Sequence, residues 1–539
     1  MAKRTPLIVA ALGAVAGGCL SGARPDGRPA SDPQGRIWRE VRTERFIVVT
    51  DLDLGLARAR ARELDELAGA LADLYPATSS VPAPREPLRV IHLARCEEVH
   101  RVMTGADPRP SGMATLGFVS SSIDPLVERL MVTCEADRSR LEIVLHELTH
   151  DLNGRYFEAL PPWLDEGLAT YYQTLTLRHG MVVLGNPPAS DAALWKVPPT
   201  RLPTMKQVLE ASYDEIAGRK QRTGYFAAWK LTHLLLDGSS THRRRFLKML
   251  QALVEGMPGD AAFTAAFGDI RDRVDQEYTS YGQGHAVAAR NRPYSRPVPV
   301  AALPRSERQL ERGEVQGLWI ELGLSRATGA EMLERLGRLE REAPEWPGRF
   351  YWSAMVHYRF QLPGASPVAL LRQYVARQPG DVRGWLALVA LEMDELRPAG
   401  DLGVEPIEPS PELEGMASDV ARLGWLARRP SELNMIGAYF ALCRRPTIGL
   451  PFTLRALAAE PGCAVCLDTL ATLSFQSGRI EDAASEQRRA VAMVSERARR
   501  GPASGTVRLQ RMKDRLLYYE RAASAAGAPA PVGSSLRDR

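Results

Sequence analysis

The sequence predicts an α+β domain followed by an all-α domain, and three observations carry that prediction. Between residues 37 and 285, short β-branched runs come first and amphipathic helical segments follow. Asn291 to Pro304 then holds four prolines, the composition of a linker. From residue 305 onward the apolar spacing is helical throughout. A length of 539 residues also exceeds what one hydrophobic core organises. The expected divisions are a signal segment over 1–19, a flexible tether over 20–36, the α+β domain over 37–285 and a linker over 286–304. A helical domain follows over 305–500, then a terminal helix and disordered tail over 501–539.

Taken in order, Phe46 to Thr50 is a β-branched run and predicts a strand. Leu54 to Leu74 spaces Leu and Ala at helical intervals between Arg and Glu, so it predicts an amphipathic helix. Leu88 to Leu93, Thr115 to Ser122 and Leu130 to Thr133 predict three more strands, with Asp124-Pro125 as a turn. Helices are expected over Leu141–Leu152, Trp163–Leu177, Met205–Ser212, Tyr225–Leu236, Arg243–Val254 and Ala261–Tyr281.

The charge balance is +5, from 69 basic and 64 acidic residues, which is too weak over this length to imply a nucleic-acid partner. No run approaches the roughly 18–20 apolar residues of a membrane span. The N-terminus has its own pattern: Lys3 and Arg4, an apolar run from Leu7 to Ala16, then Gly17, Gly18 and Cys19. That order matches a secretory signal. It also resembles a bacterial lipobox, which implies export, lipidation of Cys19 and a periplasmic or cell-surface position on a membrane. Ala16 departs from the Leu, Val or Ile preferred there, and plain cleavage after Ala14-Val15-Ala16 is the alternative. In an exported chain Cys96 and Cys134 could pair, whereas Cys443, Cys463 and Cys466 read as small buried cysteines.

Within the helical half, Glu342-Ala-Pro344 and Arg377-Gln-Pro379 lie 35 residues apart, and each precedes an aromatic-bearing apolar helix. Glu460-Pro461 recurs before Cys466 to Ala484, a stretch with a Gly478 turn and small Ala483, Ala484 and Ala490. This stretch resembles a tetratricopeptide repeat, whose period is about 34 residues. The resemblance implies a protein partner or substrate held on the repeats. An irregular helical array without repeat ancestry is the alternative.

The chemistry lies in His146-Glu-Leu-Thr-His150. On a helix, residues i and i+4 share a face, so both imidazoles can grip one metal ion, with Glu147 beside them. A bare motif of this kind is weak. It is strengthened by Pro161-Pro-Trp-Leu-Asp-Glu-Gly-Leu-Ala169, which puts Glu166 on a second helix, 16 positions after His150. Two imidazoles, one carboxylate and an open fourth position make a catalytic zinc site rather than a structural one. Small Gly167 and Ala169 allow close approach of the two helices.

These motifs resemble the gluzincin metallopeptidases, and within them the peptidase MA-like bacterial family, over residues ~40–285. The resemblance implies a zincin-type α+β fold, one Zn2+ per chain on His146, His150 and Glu166, and Glu147 as general base. It also implies an edge strand for extended substrate, with Leu130–Thr133 as the candidate. A zinc-bound water would attack a peptide carbonyl, and relatives supply a Tyr or His to the oxyanion; Tyr225 is the first choice and His233 the second. Asp165 and Thr170 are candidate supports for the ligands. Tyr171 and Tyr172 suit either a cleft wall or packing, and His92, His100 and His179 read as structural. The expected activity is that of an exported zinc peptidase, endopeptidase by the lack of an amine-anchoring motif. Two alternatives stay open: a repeat-based scaffold lipoprotein with a vestigial peptidase fold, or a zinc hydrolase of a non-peptide amide such as cell-wall material.

Overall fold

The structure is a computed structural model that describes residues 36–75, 87–99, 117–119, 130–135, 141–179, 181–187, 193–217, 221–282, 287, 289–293, 304–324, 327–397, 403–404, 408, 410–498 and 504–526. The signal segment, Cys19, nearly all of the tether, the Asp124-Pro125 turn, His100 and the tail beyond 526 lie outside them.

Chain order begins with β1 (Arg39–Arg42), β2 (Phe46–Thr50), α1 (Leu54–Leu74), β3 (Leu88–Leu93), β4 (Gly117–Val119) and β5 (Leu130–Cys134). Next come α2 (Leu141–Tyr156), α3 (Pro162–Tyr172) and the hairpin strands β6 (Thr176–Arg178) and β7 (Met181–Leu184). The helices α4 (Met205–Glu210), α5 (Tyr213–Ala217), α6 (Gln221–Asp237), α7 (Ser240–Val254), α8 (Gly259–Phe267) and α9 (Arg271–Ser280) follow. Strands β8 (Arg290–Pro293) and β9 (Ser306–Gln309) and helix α10 (Arg312–Gly323) complete this half.

Six strands form one sheet in the order β4-β5-β3-β2-β1-β9. Strands β2, β3 and β5 are parallel, and the outer pairings are antiparallel. Alternate residues divide between two apolar layers. Val48, Val90 and Met131 join the core formed with α1, α2 and α3. Val49, Ile91 and Val132 face the other way, against Trp38 and the Leu318, Trp319 and Leu322 side chains of α10. A sheet covered on both faces needs near-continuous apolar strands, and Leu130–Cys134 is buried at all five positions.

Three expectations are corrected here. Leu130–Thr133 is not an edge: β5 lies between β3 and β4, and the described edge on that side is Gly117–Val119. The region after 305 is not helical from its start. Residues 306–309 pair with β1 as the opposite edge, fully exposed and charged, so they carry no apolar signal. Residues 290–293, expected as linker, form a third strand beside the β6–β7 hairpin.

The helical array comprises α11 (Gly329–Glu342), α12 (Gly348–Phe360), α13 (Pro367–Arg377), α14 (Val382–Leu396) and α15 (Pro411–Leu426), then α16 (Pro430–Leu442), α17 (Pro446–Ala459), α18 (Ala464–Gln476), α19 (Ile480–Ala498) and α20 (Ser504–Ala526). Each packs on the next, and α14 with α16, and α16 with α18, also touch across one intervening helix. That is a two-layer helical stack. Helices α12 and α14 start 34 residues apart, as do α16 and α18. The residues closing α11, α13 and α17, namely Ala343, Gln378 and Glu460, share one backbone conformation (φ −128° to −144°, ψ 57° to 85°). The repeated acidic-or-polar-then-proline signature is therefore one loop used three times.

Cys96 and Cys134 are disulfide-bonded, tying β5 to the segment after β3. Cys463 and Cys466 are also bonded to each other, contrary to the reading of three separate buried cysteines, and Cys443 is free. The spacing brings them together because Cys463 caps α18 and Cys466 lies in its first turn.

Candidate metal centre

Helix α2 buries Val144, Leu145, Leu148 and Leu152 against the core, which turns His146 and His150 to its other side. Every residue of α3 from Trp163 to Tyr172 is buried, so this helix runs through the middle of the domain. It packs against α2 on one side and α6 on the other. A Cβ on residue 167 would stand 2.1 Å from Thr232 Oγ1 and 2.7 Å from the Ala228 carbonyl oxygen. Gly167 thus brings α3 onto α6, not onto α2 as expected.

The two helices converge on one point. His146 Nε2 and His150 Nε2 are 3.1 Å apart, and Glu166 Oε2 is 3.3 Å from the first and 3.4 Å from the second. Four ligands at about 2.0–2.1 Å in a tetrahedron have edges of about 3.3 Å, so the spacing fits one zinc ion. Among the described residues these three make the one such donor cluster.

The hydrogen bonds fix which atoms face the centre. His146 Nδ1 lies 3.0 Å from Gln173 Oε1, and His150 Nδ1 lies 2.9 Å from Asp165 Oδ1. Both partners only accept, so both Nδ1 atoms carry the proton and each Nε2 presents a lone pair. Glu166 Oε2 is buried without a hydrogen-bond partner. Three electron-rich atoms therefore surround one position, which is unfavourable unless a cation occupies it. Where no metal ion is bound, a proton serves as that cation. Burial would raise the Glu166 carboxyl, yet His150 and His146 hold it down to about 2. Burial would lower His150, yet Asp165 and Glu166 pull it well above the usual histidine range.

The Glu147 carboxyl is pushed up by desolvation, against the pull of His150 and His146. His146 and His150 side chains keep 15% and 23% of their exposure, so the centre opens on one side. Tyr225 meets the His146 ring edge to face at 5.8 Å. Gly224 helps set that approach, since a Cβ there would stand 2.2 Å from the Ile216 carbonyl oxygen of α5. His233, eight residues and about 12 Å further along α6, is enclosed by Tyr171, Trp229 and Tyr281. The fold thus favours Tyr225 over His233 as the neighbour of the centre.

Of the other residues, Asp165 hydrogen-bonds His150, whereas the Thr170 Oγ1 is buried without a hydrogen-bond partner. Tyr171 and Tyr172 are packing residues, bonded to Asp237 and to the Leu74 carbonyl. His92 pairs with Glu135 instead. Sequence reasoning missed Gln173. Its signal was present: residue 173 follows Glu166 by two helical turns and shares its face.

No protein-family model matches the chain, and neither does any curated protein. Among solved structures, a thermophilic TPR protein of Thermus thermophilus is similar, at 22% identity over 36% of this chain and 96% of that one, with a TM-score of 0.27. The repeat character of the array therefore rests on its own helix spacing and loop geometry.

Proposed function

We propose that the chain is an exported, zinc-dependent metallopeptidase of the gluzincin type, acting as an endopeptidase. The observation that supports this most is the convergence of His146, His150 and Glu166 with both Nδ1 atoms already engaged. His146, His150 and Glu166 would hold the metal. When bound, zinc supplies an acidified water and polarises the scissile carbonyl. Glu147, next to His146 on α2, accepts the proton of the attacking water. Tyr225 donates a hydrogen bond to the carbonyl oxygen as negative charge develops. Burial of α3 keeps Glu166 fixed while the chemistry proceeds.

The array recruits a protein substrate or partner, and a lipidated Cys19 places the chain at a membrane surface. The two bonded cysteine pairs support an oxidising compartment. The test is metal analysis of the purified chain beside His146→Ala. About one zinc per wild-type chain and a large loss in the variant are expected. Equal and negligible zinc in both removes the site.

A further inference from the structure

Asp165 sits at the junction of four elements. Its Oδ1 accepts from His150 Nδ1 at 2.9 Å and from Asn153 Nδ2 at 2.5 Å. Its Oδ2 accepts from the Tyr213 hydroxyl at 2.6 Å. Asn153 Oδ1 in turn accepts from the Tyr75 hydroxyl. The four residues Tyr75, Asn153, Asp165 and Tyr213 are each more than 90% buried. They come from the end of α1, from α2, from α3 and from the start of α5. The other imidazole has a different partner: His146 Nδ1 meets the neutral amide of Gln173.

We infer that Tyr213 and Asn153 are positioning residues that hold Asp165 as the charged acceptor behind His150, so the metal is gripped more firmly at His150 than at His146. This rests on the metal-centre reading above. A carboxylate can rotate about its Cβ–Cγ bond, and two donors on opposite oxygens remove that freedom. The Nδ1–H of His150 then has one fixed acceptor, which sets the ring plane and makes Nε2 a stronger donor. Asp165 also directly precedes Glu166, so the same clamp fixes the backbone that carries the third ligand. The longest of these contacts, Tyr75 to Asn153, spans 78 positions of sequence, and together they make the centre dependent on the docking of α1 and α5.

The test uses the full chain and a chelator competition that measures zinc affinity. Tyr213→Phe keeps the ring and removes only the hydroxyl. Tyr171→Phe is the control: Tyr171 is equally buried, on α3, and donates to Asp237 instead. Tyr213→Phe is expected to weaken zinc affinity by about tenfold or more, and to shift the visible bands of the Co2+-loaded chain. Tyr171→Phe should stay within about twofold of wild type, the two metal-free variants melting alike. If Tyr213→Phe does not fold, Asn153→Ala gives the same readout. Equal affinities for Tyr213→Phe and wild type, or equal losses in both tyrosine variants, overturn the inference and leave the metal centre standing. Wild type that binds no zinc overturns both.

Discussion

Trp38 and Trp319 meet edge to face at 6.0 Å, across the point where the sequence reads a boundary between two domains. The contact joins the residue just before β1 to α10, and Leu318 and Leu322 extend it over the sheet. The Arg89–Glu321 pair lies on the same seam, and Arg58–Glu307 ties α1 to β9. Beyond it, Arg489 of α19 forks onto Glu158, two residues past α2.

A truncation that removes everything from 305 therefore strips one face of the sheet. Burying each large apolar side chain contributes about 1.5–3 kcal/mol, so losing Leu318, Trp319 and Leu322 costs roughly what a domain has to spare. The fragment ending at 304 is expected to aggregate, and the fragment ending at 326 to stay soluble. Size-exclusion chromatography of both checks this; two equally soluble fragments contradict it.

Tyr225→Phe keeps the ring against His146 and loses the hydroxyl. It is expected to lower kcat about 10²-fold with zinc content and KM unchanged. Unchanged kcat would return Tyr225 to a packing role.

In the array, Glu392 and Asp419 are more than 90% buried and share Arg372. Desolvation pushes Glu392 up to about 7; Arg372 opposes this, and Asp419 and Glu395 add to it. Asp419 is raised too, again by desolvation. A raised folded-state pKa means the native chain binds more protons than the unfolded one between pH 4.5 and about 7. Stability from Glu392 is thus greatest at the acidic end of that window and falls as pH rises through it. Glu392→Gln should flatten the fall and melt higher than wild type at pH 8. Melting curves across that window and above it decide the matter; parallel profiles would count against the shift.

The candidate metal donors were legible because local periodicity places them: four residues put His146 and His150 on one face, and the apolar residues around them forced the helix. Strand β5 was legible as a strand but not as an interior one, since its neighbours come from elsewhere in the chain. Strand β9 was illegible, because Ser306–Gln309 is exposed at every position and held only by pairing with β1. The supports behind the ligands were partly legible. Asp165 adjoins Glu166 in sequence, but Tyr213 reaches it, and Tyr75 reaches Asn153, only through the packing of α5 and α1. Side-chain partners 48 or 78 residues apart leave no periodic trace.

In the proposed reaction Glu147 moves a proton at a metal centre built from His146, His150 and Glu166. The most direct test digests a peptide library with wild type and Glu147→Gln while the zinc content of each is measured. Wild type should cleave internal peptide bonds. Glu147→Gln should hold the same zinc and lose about 10²–10⁴-fold in turnover. Undiminished cleavage by the variant, or a zinc-loaded wild type that cuts no peptide, would contradict it.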